Sequence, residues 1–353
     1  MADSDKNEKN HQKKKQLLKL EEILKGGKNL LILIHNNPDP DAIASALALS
    51  YLVENKYNIE TSIAYGGNIG RAENKEMVKK LNIHLKKINR LKFAKYDRIA
   101  LVDTQPGAKN NSLPSKRKCH IVIDHHPKRF DTPTPFEIIQ PEIGATATIL
   151  TEWLQETGLD IPADLATALS YAISSETQNL AREADTRDIQ AYLVVYVKSS
   201  IRKLAQIINP KLDQAYFVVL ARALYNAFIY KNLLVAHLAE ITCAEMVAEM
   251  SDFLLRRKMI SWVLCTGFYK GNLILSIRSS IPKAKASEFL MKLVPDPKTV
   301  GGHDQVAGGY ISLLNGAKDL KNMENNLSQA FAQAYGYKDF NWQPLLGDTD
   351  LEK

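Results

Sequence analysis

Three apolar runs in the N-terminal part of the chain each end in side chains of the kinds that bind metal ions. NLLILI (29–34) leads into His35-Asn-Asn-Pro-Asp39-Pro-Asp41, RIALV (98–102) into Asp103, and HIVI (120–123) into Asp124-His125-His126. His35, Asp39, Asp41, Asp103 and His125 supply imidazole and carboxylate donors, a mixture suited to manganese, with magnesium, iron, cobalt or zinc also admissible. Pro38 and Pro40 stiffen the first loop, so that Asp39 and Asp41 can be held apart and serve different ions. Carboxylates gathered in one buried site repel one another unless cations neutralise them, which a pair of divalent metals would do. Such a pair acidifies a bound water and stabilises charge that develops on oxygen. The chemistry expected is metal-assisted activation of water. A lone strand-end histidine or a lone aspartate cap would carry no such message; recurrence at three successive strand ends does.

The elements that must position these residues can be read from periodicity. The three runs are short and rich in branched residues, as buried parallel strands are. Between the first two lie helical stretches from Ala42 to about Glu54 and near Glu73 to Leu81, the α/β alternation of a doubly wound sheet. In such a sheet, ligands bind beyond the carboxyl ends of the strands, where side chains far apart in sequence converge. Further helices are expected over 144–156, 162–174 and 185–203, with Pro210 ending the last. Beyond it, helical stretches over 214–230 and 243–258 alternate with strands at 232–238, 260–266 and 272–279, and Tyr269-Lys-Gly-Asn272 is a hairpin turn. The expected fold class is therefore α/β, an N-terminal parallel-sheet domain and a smaller C-terminal mixed α/β domain separated by a cleft. The boundaries drawn are a flexible basic arm (1–14), a catalytic domain (15–195), a linker region (196–213), a substrate-binding domain (214–340) and a surface tail (341–353).

Composition sets outer limits. With 353 residues, 45% of them hydrophobic and 24% charged, the chain has room for two soluble domains. The formal charge of +7 favours anionic partners. Cys119, Cys243 and Cys265 form no close metal-binding pair, no secretory signal reads in the chain, and no apolar run approaches a bilayer's thickness. A cytoplasmic protein with no membrane partner is expected. The apolar helices over 163–197 either pack within one domain or help to make a homodimer.

HNNPDPDAIAS (35–45), LVDTQPG (101–107) and IDHHP (123–127) resemble the first three motifs of the DHH phosphoesterase superfamily. GGHDQVAGG (301–309), with RSS at 278–280, resembles the hallmark of the superfamily's associated C-terminal substrate domain. Together these cover roughly residues 15–340, and the branch most resembled contains hydrolases of short oligoribonucleotides and of 3′-phosphoadenosine-5′-phosphate.

The resemblance implies His35 and Asp39 as ligands to one metal, Asp41 and His125 to a second, and Asp103 as the bridge. It makes Asp124 a support of the cluster and His126 a phosphate contact, with Asp103, Asp124 and His126 forming the catalytic set. The fourth motif of the family normally supplies an aspartate to the second metal, but here Glu176 stands in that position; its extra methylene allows direct ligation, ligation through water or a structural role. Pro40 also replaces a glycine common in the first motif. Gly301 and Gly302 would let the backbone approach an anion closely, while His303 and Arg278 would donate to a terminal phosphate. Gly144-Ala-Thr146 could add backbone donors or simply begin a helix, and Tyr65 with Gly66-Gly67 is a turn beside a packing aromatic. The implied activity is two-metal-dependent hydrolysis of short RNA to mononucleotides, or dephosphorylation of 3′,5′-bisphosphonucleotides. The alternatives are a linear or cyclic dinucleotide phosphodiesterase and a catalytically weakened nucleotide-binding regulator. No stable long-duplex partner is expected.

Overall fold

The computed structural model describes residues 2–128, 133–181, 184–302, 304–313 and 319–347, with side chains from residue 11 onward. The chain divides into two compact units, Met1–Pro210 and Lys211–Lys353.

The first unit contains, in order, α1 (Ala2–Leu24), β1 (Asn29–Leu33), α2 (Pro40–Tyr57), β2 (Glu60–Tyr65), α3 (Ala72–Lys80), β3 (Leu85–Lys87), β4 (Arg98–Val102), β5 (Ile121–Asp124) and β6 (Phe136–Ile139). Four helices follow: α4 (Thr146–Thr157), α5 (Ala163–Glu176), α6 (Thr186–Tyr196) and α7 (Ile201–Ile208). The six strands form one sheet in the order β3-β2-β1-β4-β5-β6, and every pairing is parallel. The chain winds outward from β1 through β2 to β3 and then returns to β4, so the β1/β4 boundary is the topological switch point where a ligand crevice opens.

Alternation within the strands sorts side chains onto two faces. Leu30, Ile32 and Ile34 face the main core with α1 to α7, whereas Leu31 and Leu33 join Ile99, Leu101 and Val122 on the other side. That second face carries no α-helix among the described residues, only two short 3-10 turns, Ile88–Arg90 and Phe93–Lys95. It is covered by Ile88, Leu91, Phe93, Tyr96 and Leu113, from the β3–β4 and β4–β5 connections. Handedness explains the placement. Crossovers running from β1 toward β3 and crossovers running from β3 toward β6 must fall on opposite faces if both are right-handed. The helices thus gather on one face, unlike the doubly wound arrangement expected.

Three local differences have identifiable causes. The helix expected over 185–203 is two helices, because the Ser200 side chain accepts from Lys203 N at 3.4 Å and starts α7 afresh. Within the stretch expected to be a linker, Leu204 and Ile207 are buried in the first unit's core. The stretch drawn as a flexible arm continues α1, and Lys13 and Lys14 reach Glu152 (3.3 Å) and Glu156 (3.7 Å) on α4. Of the apolar helices over 163–197, α5 is largely buried, while α6 leaves Ile189, Leu193, Tyr196 and Val197 exposed.

The second unit comprises α8 (Gln214–Tyr225), β7 (Ala227–Tyr230), β8 (Leu233–Glu240), α9 (Glu245–Leu254), β9 (Trp262–Tyr269), β10 (Asn272–Ser279) and α10 (Ala286–Met291). It continues with β11 (Gly301–Gly302), β12 (Val306–Ser312), α11 (Leu320–Tyr335) and β13 (Gln343–Pro344). Its sheet is mixed, in the order β11-β12-β10-β9-β8-β7-β13, with only β8 and β9 paired in parallel. The helix expected to reach 230 stops at Tyr225 because residues 227–230 pair with β8. The expected hairpin turn is present: Lys270 and Gly271 have φ of 49° and 80°, the conformation a tight turn between twisted strands demands. The stretch drawn as a surface tail adds β13 to the sheet edge.

Candidate metal centre

The five ligands expected from the first three motifs sit just beyond a strand's carboxyl end or at a helix start, whereas Glu176 stands at the end of α5. His35 follows β1, and its Nε2 lies 3.2 Å from Asp39 Oδ2 and 3.6 Å from Asp103 Oδ2. Asp39 is the N-cap of α2, its Oδ1 accepting from Ala42 N at 3.0 Å, and Pro40 occupies the first turn, where its missing N–H costs nothing. Asp41, one residue inside the helix, turns to the buried side and accepts from Ser45 Oγ at 3.2 Å. Asp103 follows β4 in the left-handed region at φ 60°, a conformation aspartate tolerates better than most residues, and is 2% exposed.

Histidines from the end of β5 complete the cluster. His125 Nε2 lies 3.7 Å from Asp103 Oδ1 and 3.9 Å from Asp41 Oδ2. Its Nδ1 faces the Ile143 carbonyl at 3.3 Å, which can only accept, so Nδ1 carries the proton and Nε2 presents a lone pair. That Nε2 is buried and has no hydrogen-bond partner, an orphaned acceptor of the kind that ligates a cation. His126 is half-exposed, with Nδ1 held by Asp124 Oδ1 at 2.8 Å. Donor atoms within 4.8 Å of one another form two groups, His35 with Asp39 and Asp103, and His125 with His126 and Asp103. Both contain Asp103. The donor set therefore fits two divalent cations sharing that carboxylate.

Several residues outside the expected ligand set hold the cluster. Thr146 N and Ala147 N, at the start of α4, donate to Asp41 Oδ2 and Oδ1 at 2.7 and 2.8 Å, and Thr146 Oγ1 donates to Asp103 Oδ1 at 2.8 Å. The donors at 144–146 thus serve a protein carboxylate. Gln105 Nε2 donates to Asp124 Oδ2 at 2.8 Å, fixing that support against His126. Asp188, fully buried, accepts from Gly144 N and Asp185 N, each at 2.8 Å, and from Thr148 Oγ1, tying the starts of α4 and α6 together. The signal available was the Gly-Ala-Thr helix start itself.

Crowding of charge shows in the ionisation of the group. Burial lowers the His35 imidazole, but Asp39 and Asp103 outweigh it and raise it to about 10. Burial raises Asp39, yet His35 and the Ala42 N–H hold it well below the ordinary carboxylate range. Asp41 is raised to about 7 by burial and by Asp103, and Asp103 to about 6 by burial and by Asp39. His126 is raised to about 9, its burial outweighed by Asp124 and Asp103. Glu176 closes α5, and burial together with Asp39, Asp41 and Asp103 raises its carboxyl well above its ordinary value. It belongs to the electrostatic neighbourhood without joining either tight donor group.

Within the second unit, Gly301 and Gly302 form an exposed edge strand on β12, with Gly302 at φ 141° packed against the backbone of Val306 and Ala307. Arg278 is 7% exposed; Nε donates to Asp252 Oδ1 at 2.5 Å, and Nη1 to Ser276 Oγ and the Ile277 carbonyl at 2.9 and 3.0 Å. His303 lies outside the described residues. Tyr65 is buried with Lys87 over its ring at 4.5 Å, and Gly66 is needed because a Cβ there would meet Asn36 and Ser112.

Residues 29–173 match the DHH family, N-terminal domain. An uncharacterized protein of Methanocaldococcus jannaschii is 37% identical over 305 residues, covering 85% of this chain and 62% of that one. A probable manganese-dependent inorganic pyrophosphatase of Lactobacillus gasseri is 32% identical over 148 residues, 42% of this chain and 47% of its own. The chain thus spans about half to three-fifths of the length of these relatives. In fold it is similar to an exopolyphosphatase-related protein from Bacteroides fragilis, with a TM-score of 0.72 at 16% identity, covering 91% of this chain and 98% of that one. No helix among the described residues is long and apolar enough to cross a membrane. The stretch that carries all three strand-end motifs is thus the one that matches the DHH family, N-terminal domain.

Proposed function

We propose that the protein is a metal-dependent phosphoesterase that hydrolyses short oligoribonucleotides to mononucleotides or dephosphorylates 3′,5′-bisphosphonucleotides. The observation that carries this reading is the pair of donor groups sharing Asp103, with an orphaned, buried His125 Nε2. When bound there, two divalent cations, manganese first among them, supply an acidified water and neutralise charge on the phosphate. His35 and Asp39 would hold one cation, Asp41 and His125 the other, with Glu176 completing the second site directly or through water. His126 has Nδ1 committed to Asp124, which leaves Nε2 to donate to a nonbridging phosphate oxygen. Asp124, itself held by Gln105, fixes the orientation of that ring.

In the second unit Gly301, Gly302, His303 and Arg278 are the proposed substrate contacts. Arg278 would have to exchange its bond to Asp252 for one to a phosphate. A second reading, cleavage of a small phosphoanhydride, is favoured by the 32% identity to probable manganese-dependent inorganic pyrophosphatases. Time-resolved product analysis with manganese separates these readings, using phosphoadenosine phosphate, linear dinucleotides, pyrophosphate and a labelled short RNA ladder, with Asp103→Ala and Glu176→Ala alongside. The expected result is metal-dependent release of mononucleotide or of 3′-phosphate, abolished by Asp103→Ala. Turnover of pyrophosphate alone would move the assignment to the second reading, and tight binding with no product would replace both by a regulatory role.

A further inference from the structure

Residues 86–118 contain ten Lys and Arg against two Asp, a net charge of +8, whereas the whole chain carries +7. Outside this stretch the chain is close to neutral. The stretch is the one that topology sends across the face of the first unit that carries no α-helix, in the connections on either side of β4. Two grooves lie along it. One, of about 450 Å³, sits over β1 and β2 and is lined by Arg90, Lys92, Lys95 and Tyr96, with a single carboxylate, Glu60, among its residues. The other, of about 860 Å³, runs from Pro106, Gly107 and Asn111 after β4 to the amino ends of β5 and β6, and combines Lys116, Arg117 and Lys118 with apolar Leu113 and Pro135. Strands are spaced about 4.8 Å apart, so β2 and β5, three steps apart in the sheet, place the grooves roughly 15 Å from each other.

All six of these cations are exposed, and none is in an ion pair among the described residues. His120, at the floor of the larger groove, is held below its ordinary value by burial and by Arg98 and Lys118, which reports a positive field. Unpaired like charges held together on one face are unfavourable by themselves and are relieved by a polyanion. The apolar and aromatic lining adds what a chain of phosphates alone would not use, surfaces against which bases can lie. A lipid surface fits less well, because the apolar groups line concavities instead of projecting outward.

We propose that this face is a tracking groove for single-stranded nucleic acid, distinct from the metal centre and able to hold the body of a chain longer than a dinucleotide. The proposal needs no catalysis, so it stands or falls independently of the reaction assigned above.

The test is fluorescence anisotropy in EDTA with labelled single-stranded RNA of 2, 4, 8 and 12 nucleotides over a salt series. It uses the full chain and the triple variant Lys116→Glu/Arg117→Glu/Lys118→Glu. A control triple variant, Arg256→Glu/Arg257→Glu/Lys258→Glu, makes the same change in net charge on an exposed stretch of the second unit. The expected result is affinity rising with length, at least tenfold weaker 12-mer binding in the 116–118 variant, and a log–log salt slope shallower by about 2, at roughly 0.7 per phosphate contact on single strands. The control should bind nearly as the native chain, and unchanged thermal unfolding of both variants establishes that they are folded. Equal loss in the two variants would show a generic charge effect and overturn the proposal. So would inorganic polyphosphate displacing RNA at equal charge, or a 116–118 variant that loses binding to phosphatidylserine vesicles while keeping RNA.

Discussion

Replacing Asp103 by asparagine should move stability and metal affinity in opposite directions. Asp103 is almost fully buried, and burial followed by the repulsion of Asp39 raises its carboxyl from 3.8 to about 6. A carboxyl raised on folding favours the native state below its ordinary value, and that advantage is lost as pH rises through about 6. At 1.36 kcal/mol for each tenfold change, the ionised group costs about 3 kcal/mol of native stability at pH 8. Asparagine is isosteric, retains an oxygen for Thr146 Oγ1 and tolerates the left-handed backbone at φ 60°. In EDTA at pH 8 the Asp103→Asn variant is therefore expected to be more stable by about 3 kcal/mol, a rise in Tm of roughly 6–12 °C for a unit of this size. Excess manganese should reverse the order. The native chain gains about 4 kcal/mol at a cation concentration a thousandfold above Kd, whereas the variant, lacking the shared ligand, gains little. Thermal unfolding followed through Trp153 fluorescence in EDTA and in manganese reads both effects, since that tryptophan lies in the core of the first unit. A variant no more stable than the native chain in EDTA would refute the electrostatic argument. One that gained as much from manganese would remove Asp103 from the site.

Other residues yield sharper structural tests. Asp188→Asn keeps one oxygen for Gly144 N and Asp185 N but puts an NH2 against the Thr148 hydroxyl, so urea unfolding should show a loss of about 1–3 kcal/mol; a loss under about 0.5 kcal/mol would mean that the starts of α4 and α6 are held by other contacts. Gly66→Ala places a Cβ against Asn36 Oδ1 and 2.5 Å from Ser112 Oγ, so it should cost about 1–3 kcal/mol and weaken manganese binding through the neighbouring His35; native stability in that variant would contradict the close approach. In the second unit, burial raises Glu324 to about 7 and lowers His237 to about 4. Stability from Glu324 is present below its ordinary 4.5 and lost as pH rises through about 7, while that from neutral His237 is lost as pH falls from 6.5 through about 4. Glu324→Gln should flatten only the alkaline limb of a urea-midpoint profile read through Trp262 and Trp342, and a profile unchanged above pH 5 would count against the assignment.

The strand-end ligands were legible because two independent signals coincide there: short apolar runs fix where a strand stops, and ligand-type residues follow at once. Thr146 was legible only as a backbone donor of unassigned partner, and Ala147, Gln105 and Asp188 not at all, since they act through backbone N–H groups or through partners as much as 106 residues away. Arg278 was visible as a charged residue beside two serines, but its partner Asp252 lies 26 positions away on another element, and only the fold shows its guanidinium to be engaged. The regular helix Leu320–Tyr335 and the strands Glu60–Tyr65 and Phe136–Ile139 went unread for a different reason. In the helix and in Glu60–Tyr65 the apolar residues are diluted by polar ones, and Phe136–Ile139, at four residues, is too short to show a period.

Asp41 shows why the centre calls for cations and cannot be completed by hydrogen bonds. Its carboxylate accepts from Thr146 N, Ala147 N and Ser45 Oγ, and two of those donors stand at the positive end of α4. Such support ordinarily depresses a carboxyl, yet Asp41 is raised to about 7, because burial and the nearby Asp103 outweigh it. Asp39 accepts only one backbone bond and is nevertheless held far lower, because His35 stands 3.2 Å away as a positive charge. The difference between the two aspartates is a full cation at close range. On the Asp41 side, the nearest ring nitrogen is His125 Nε2 at 3.9 Å, which offers a lone pair because its Nδ1 proton faces the Ile143 carbonyl. Burial and Asp103 still hold the Asp41 carboxyl up, so an ion seated among these donors would restore its charge, and Glu176, raised by the same carboxylates, would recover its charge with it.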